Sequence, residues 1–145
     1  SKPTKRFSSY IKRESSPDFT GSLQTLSSIT AGVYLALMGP EGLREIGETM
    51  IQRCLYAIKL LNSVPGVCAT RFTGPKFNEF VVDFNATGKT VAEINAFLSE
   101  KGIFGGKDLS KEFPVLGESA LYCVTEIHSA EDIKTLAKAI EEAVK

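Results

Sequence analysis

Tryptophan is absent from this 145-residue chain, histidine occurs once and methionine twice. Net charge is missing too, because 17 Lys and Arg balance 17 Asp and Glu. That balance argues against nucleic acid as a partner, since duplex binding needs a basic face that neutralises several phosphates. No apolar run approaches the roughly 20 residues that a membrane-spanning helix needs, so no membrane partner is expected. The basic start, Ser1-Lys2-Pro3-Thr4-Lys5-Arg6, leads into no apolar stretch and does not read as a secretory signal; it reads as a cut edge. Cysteine is scarce and odd in number. Cys54, Cys68 and Cys123 each have apolar sequence neighbours and none has Cys-x-x-Cys spacing, which predicts inert thiols in a reducing, cytoplasmic compartment. With His128 as the sole imidazole, no metal site is expected.

What remains is an ordinary globular composition, 43% hydrophobic and 23% charged, over a length that suits one domain. Residues 1–19 are polar, Ser-rich and aperiodic, and read as an arm or linker. Leu23, Leu26, Ile29, Val33 and Leu37 then recur at helical spacing, opposite a smooth back of Ser27, Ser28, Ala31 and Gly32. Gly39-Pro40 should stop that helix and start another, with a stripe of Leu43, Ile46, Met50, Cys54, Leu55, Ile58 and Leu61. Gly47 inside it suggests close packing against a neighbour. After the Val64-Pro65-Gly66 turn, residues 67–72 and 77–84 read as an antiparallel strand pair, with Phe80, Val82 and Phe84 on one face. Thr90 and Glu93 form a capping box for a helix ending at Gly102. A short extended piece, Ile103-Phe104-Gly105-Gly106, a strand over 121–125 and a final helix capped by Ser129 and Asp132 complete the chain. The order suggests an α+β layer arrangement: a small, mainly antiparallel sheet covered by helices, preceded by long connecting helices.

Known chemical signatures are missing. Thr87-Gly88-Lys89-Thr90 has the end of a phosphate-binding loop without its upstream glycine, and reads as a solvated loop. No Gly-x-Ser-x-Gly elbow occurs. His128 follows Thr125-Glu126-Ile127 with no identifiable orienting carboxylate, and reads as a surface-loop residue. Asn78-Glu79 sets a polar pair in an apolar strand. A cross-strand ion pair of Glu79 with Arg71 and a ligand- or partner-facing role are equally open. Arg71 is the cation best suited to a bidentate carboxylate. Gly105-Gly106 either makes a simple turn or lets backbone N–H groups approach an anion.

Four pieces, in order, resemble the glycine dehydrogenase (decarboxylating) family, the P-protein of the glycine cleavage system. Arg13-Glu14, Gln24 and the run Val33-Tyr34-Leu35-Ala36-Leu37-Met38-Gly39-Pro40-Glu41-Gly42-Leu43 are similar to its R-E-K-A-T-S-N-I-C-T-x-Q-A-L segment and the helix ending G-P-x-G-L. Phe77-Asn78-Glu79-Phe80-Val81-Val82 is similar to its F-N-E-F-V-V strand. Lys101-Gly102-Ile103-Phe104-Gly105-Gly106-Lys107-Asp108-Leu109 is similar to its K-G-I-x-G-G-x-x-L turn, and Val124-Thr125-Glu126 to its late V-T-E. The collinear set covers most of the chain and looks like subunit 1, the N-terminal half type. One departure stands out: Ser15-Ser16-Pro17-Asp18-Phe19-Thr20-Gly21-Ser22 replaces K-A-T-S-N-I-C-T.

The resemblance implies the small C-terminal domain of a fold-type-I pyridoxal phosphate enzyme. Residues 1–19 would be an arm, 20–63 a helical connection to a large domain, and 64–145 the small α+β domain. It implies a cytoplasmic heterotetramer that decarboxylates glycine and passes the aminomethyl group to the lipoyl arm of H-protein. Pyridoxal phosphate would be held by subunit 2, the lysine-bearing half, because nothing here resembles the H-K-T-F-C context of that lysine. No catalytic or cofactor-binding residue is therefore assigned to this chain. Arg71, Asn78, Glu79, Gly105, Gly106, Thr125 and Glu126 are its substrate or interface candidates. The end at Val144-Lys145 fits a split subunit 1 better than a fused protein. Two alternatives remain: the small domain of another fold-type-I enzyme, such as an aminotransferase or a desulfurase-like protein, and a free-standing α+β interaction module.

Overall fold

A computed structural model describes residues 23–145; the arm expected over 1–19 lies outside the described residues. Two compact units divide between Leu43 and Arg44. Helix α1, Leu23–Leu61, supplies the described part of the first unit and the opening of the second.

In the first unit the helical spacing gives the helix it predicts. Ser28 and Thr30 turn their hydroxyls back onto the Gln24 and Leu26 carbonyls at 2.8 and 3.0 Å, which satisfies the polar atoms on the smooth side. The apolar stripe is exposed at Leu26, Ile29, Val33 and Leu37. As expected, Gly39-Pro40 ends one helix and opens the next, so α1 is two helices joined across a kink. Gly39 alone leaves helical geometry, at φ 60° and ψ −178°, a conformation that glycine adopts without a Cβ penalty.

The second unit holds the sheet. Strand β1 (Glu79–Asp83) pairs antiparallel with β3 (Ser119–Cys123), which also pairs antiparallel with β2 (Lys107–Asp108), giving the order β1-β3-β2. The register sets Phe80 opposite Tyr122 and Val82 opposite Ala120, all buried on one face. Val81 and Leu121 pair on the other face. Helices α2 (Val91–Glu100) and α3 (Ala130–Ala143), with the Arg44–Leu61 part of α1, pack onto the first face. Val91, Ile94 and Leu98 come from α2, Ile133, Ala137 and Ile140 from α3, and Cys54, Ala57, Ile58 and Leu61 from α1. Each large side chain buried this way contributes about 1.5–3 kcal/mol. Phe80 stacks on Tyr122 with ring centroids 6.1 Å apart, and Phe84 meets the same ring tilted, at 6.5 Å.

Both predicted capping boxes form: Thr90 with Glu93, and Ser129 with Asp132. Other expectations are corrected. Residues 67–72 form no strand; only Cys68 bridges to Asp83, and the segment then leaves the sheet. Ile103–Gly106 is not the extended strand, which begins instead at Lys107, where pairing with Leu121 is available. Gly47 is not a close-packing point: a Cβ there would meet only Phe77, at 4.0 Å. Of the three free cysteines only Cys54 is buried, while Cys68 and Cys123 are exposed. No helix among the described residues is long and apolar enough to cross a membrane.

Candidate functional site

The sequence candidates gather in three places within the second unit. Arg71 is not paired with Glu79. Its Nη1 meets Asp83 Oδ2 at 2.5 Å and the Leu116 carbonyl at 2.9 Å. Asp83 Oδ1 accepts from the Asn85 backbone and side chain at 2.8 and 2.6 Å, and Asn85 Nδ2 also reaches the Leu116 carbonyl at 2.9 Å. Ser119 Oγ adds a third donor to that carbonyl at 2.8 Å. Glu118 continues the network, its N–H on Asn85 Oδ1 and its carboxylate on the Val91 N–H at the start of α2. The cross-strand register explains the correction: Glu79 lies opposite Cys123, at the other end of β1 from Asp83. Arg71 is thus engaged in a clasp that fixes the 114–118 loop.

Gly105 and Gly106 lie in close approach to side chains of α2 and β3. A Cβ on Gly105 would lie 2.0 Å from Asn95 Oδ1, and one on Gly106 would lie 2.5 Å from the Tyr122 ring. Asn95 Nδ2 donates to the Gly106 carbonyl at 2.8 Å. Burial pushes the Tyr122 hydroxyl up to about 12, against a smaller opposing effect of the Gly106 backbone.

The remaining four candidates share one end of the sheet. The Val124 N–H donates to the Asn78 carbonyl at 2.8 Å, and Asn78 Nδ2 faces Cys123 Sγ at 3.5 Å. Partial desolvation by its neighbours, although the residue is exposed, and then the Glu79 charge, raise the Cys123 thiol. That environment disfavours a nucleophilic thiolate. Beyond Val124, Thr125–His128 forms a turn. Its Thr125 N–H donates to His128 Nδ1 at 3.0 Å, so Nδ1 is the unprotonated nitrogen in this arrangement. Arg53, from α1, donates to the carbonyls of both Glu126 and His128, the latter at 2.7 Å. Asp132 stands beside them, its carboxyl held low by the Ser129 hydroxyl and backbone, with smaller help from His128 and Arg53. A cavity of about 300 Å³ opens here between Ile103, Phe104, Cys123, His128, Asp132 and Leu136. Sequence reasoning passed over Arg53, Asp83, Asn85 and Asn95. Asp83-x-Asn85 was a readable turn signal; Arg53 and Asn95 gave none.

No family model matches the chain. It is 37% identical over 131 residues to a protein of Moorella thermoacetica named probable glycine dehydrogenase (decarboxylating) subunit 1, covering 90% of this chain and 29% of that protein. A protein of the same name from Staphylothermus marinus is 33% identical over 135 residues, 93% of this chain and 29% of its own length. The crystal structure of an inhibitor-bound glycine decarboxylase (P-protein) of the glycine cleavage system superposes with a TM-score of 0.75 at 30% identity, over 92% of this chain and 29% of that one.

This chain is a relative of glycine dehydrogenase (decarboxylating) subunit 1. Its fold is that of a C-terminal portion of the glycine decarboxylase, and it spans about 29% of the length of the relatives it matches. Lys76, which lines one surface cavity, has its Nζ on the Phe72 and Gly74 carbonyls at 2.6 and 3.2 Å. No group of three or more His, Cys, Asp or Glu among the described residues could hold a metal ion.

Proposed function

We propose that this chain is part of the non-catalytic subunit 1 of a pyridoxal phosphate-dependent glycine decarboxylase. In this reading the complete enzyme decarboxylates glycine and passes the aminomethyl group to the lipoyl arm of H-protein. The cofactor, which supplies the electron sink for loss of CO2, is held by the lysine-bearing subunit 2. The assembly is a cytoplasmic heterotetramer. This chain completes and supports the paired subunit: Asn78, Glu79, Thr125 and Glu126 form one surface, and Arg71 and Gly105-Gly106 act as internal fastenings.

The observation that carries the reading is the agreement of sequence and fold over the same nine tenths of the chain. The test is to isolate the native protein with an antibody to this chain, then add carboxyl-labelled glycine and lipoylated H-protein. The expected result is a much heavier native subunit, a co-purifying partner that carries a borohydride-trappable cofactor, and labelled CO2. A trappable adduct on a lysine of this chain would overturn the non-catalytic assignment. A native protein of this size, arriving alone, would favour a free-standing module.

A further inference from the structure

Strand β1 has one edge inside the sheet and one outside it. The Val124 N–H donates to the Asn78 carbonyl and the Phe84 N–H to the Glu118 carbonyl, both at 2.8 Å, so the even-numbered residues turn their backbone groups towards β3. Those of Glu79, Val81 and Asp83 point out of the sheet, because backbone groups alternate in direction along a strand. Asp83 already uses this edge, exchanging two backbone bonds with Cys68 at 2.8 and 2.9 Å. Continued pairing would set Thr70 against Val81, but no bridge forms there, and Lys76 Nζ holds the chain in a bend by the Phe72 and Gly74 carbonyls. Among the described residues nothing bonds the outward N–H and C=O of Glu79 and Val81. The space beside that edge is apolar and continuous. A cavity of about 190 Å³ between the bend and β1 shares Phe72, Val81 and Leu121 with one of about 650 Å³ on the open sheet face. An unpaired edge beside an apolar pocket suits strand addition, in which backbone bonds give affinity and the pocket takes a side chain. A second copy of β1 does not suit it. Antiparallel pairing about Val81 would set Glu79 against Asp83 of the other copy, two like charges, on Asp83 backbone groups that Cys68 already holds. The relatives offer another source: this chain spans 29% of their length, so most of such a subunit lies outside it.

We propose that the free edge of β1 receives a strand from the part of subunit 1 that this chain does not span. That strand pairs with the Val81 N–H and C=O and lays an apolar side chain over Phe72, Val81 and Leu121. The proposal rests on the subunit 1 reading of the preceding subsection.

The test is site-resolved amide exchange on the intact native subunit, with Phe80 and Val82, which face β3, as internal references. Val81 should exchange at least about a hundredfold more slowly than an unstructured amide, as a paired strand amide does. A Val81 amide exchanging at the unstructured rate would overturn the proposal. Val81→Pro removes the outward donor and leaves the bonds to β3 in place. It should speed exchange at Glu79 by about tenfold, the worth of roughly one hydrogen bond, with Phe80 and Val82 unchanged; an unaltered Glu79 would count against the added strand. A photo-cross-linking benzoylphenylalanine in place of Phe72 then locates the occupant, and it serves even if the proline variant does not fold. The expected product keeps the denatured mass of one subunit and joins position 72 to a segment beyond this chain. A product of doubled mass, or no product reaching beyond this chain, would overturn the assignment. A native protein no heavier than this chain would overturn the subunit reading and this proposal together. A heavier one with an unprotected Val81 overturns this proposal alone.

Discussion

The two faces of the small sheet are built from similar residues and meet different fates. On one, Phe80, Val82, Ala120 and Tyr122 are buried under three helical segments. On the other, Val81 and Leu121 are joined by Phe72, Leu109, Phe113 and Val115 around a cavity of about 650 Å³. Val115 there is 90% exposed. A strand reading Glu79-Phe80-Val81-Val82-Asp83 lacks the strict alternation of a sheet with one wet face, and resembles strands covered on both sides. Exposed apolar faces are, as a class, surfaces prone to association. The contrast teaches that the chain supplies the cover for one face, while the composition of the other suits a cover that the described residues do not provide.

The sharpest way to break this comparison is to make matched truncations. Phe84→Ala empties the covered side at its largest fully buried side chain and should cost about 3–5 kcal/mol in denaturant unfolding. Val115→Ala on the open side should cost less than about 0.5 kcal/mol. Comparable losses at both positions would mean that the two faces are not distinct. Gly106→Ala comes next. Its methyl group would press on Tyr122 and on Ala120 Cβ, 2.9 Å away, at a cost of about 1–3 kcal/mol. An unchanged unfolding midpoint would show that the backbone is not closely packed there. Arg71→Met should lower stability by about 1 kcal/mol, below the usual worth of charged hydrogen bonds because the pair is partly solvated. It should also free the 114–118 loop for faster amide exchange, and an undisturbed loop would argue against the clasp.

Much of the covered face was legible in the sequence. Alternation through Phe80, Val82 and Phe84 set the buried side of β1, and Thr90 with Glu93 and Ser129 with Asp132 set the starts of α2 and α3, because these are local signals. The site was less legible. Arg71 stood out as a cation suited to a bidentate carboxylate, yet it meets Asp83 through Nη1 alone, and that partner depended on a register in which Glu79 faces Cys123 and Asp83 stays beside Arg71. Gly105-Gly106 gave no sign in sequence of the close approach to Asn95 and Tyr122, which only the fold brings about. Arg53 was one exposed-looking cation among many until the fold brought it to residues 126 and 128, more than seventy positions later.

The open face also predicts association. The isolated chain, with no partner for Phe113, Val115 or the exposed stripe at Leu26, Ile29, Val33 and Leu37, should self-associate as its concentration rises in sedimentation velocity. A Phe113→Ser, Val115→Ser double variant should reduce that association while leaving the unfolding midpoint nearly unchanged. A chain that stays monomeric at high concentration and binds little hydrophobic dye would count against an unmet partner on either surface.

The smallest expected effect belongs to the helices that make the covered face. The Glu93 carboxyl is held low first by the Thr90 backbone N–H and then by its hydroxyl, and Asp132 first by the Ser129 hydroxyl and then by its backbone. Both carboxyls therefore bind protons less readily folded than unfolded. Their contribution is complete above the unfolded carboxylate range, about pH 4, and is lost as the pH falls through the lower folded values. Amide exchange in the first turns of α2 and α3 should accelerate below about pH 4 relative to the open face, after correction for intrinsic exchange. Glu93→Gln with Asp132→Asn removes the titrating carboxyls and should flatten that difference while lowering stability at neutral pH. If the double variant kept the wild-type pH dependence, the capping carboxylates would not be its source, and the acid response would have to come from elsewhere in the covered layer.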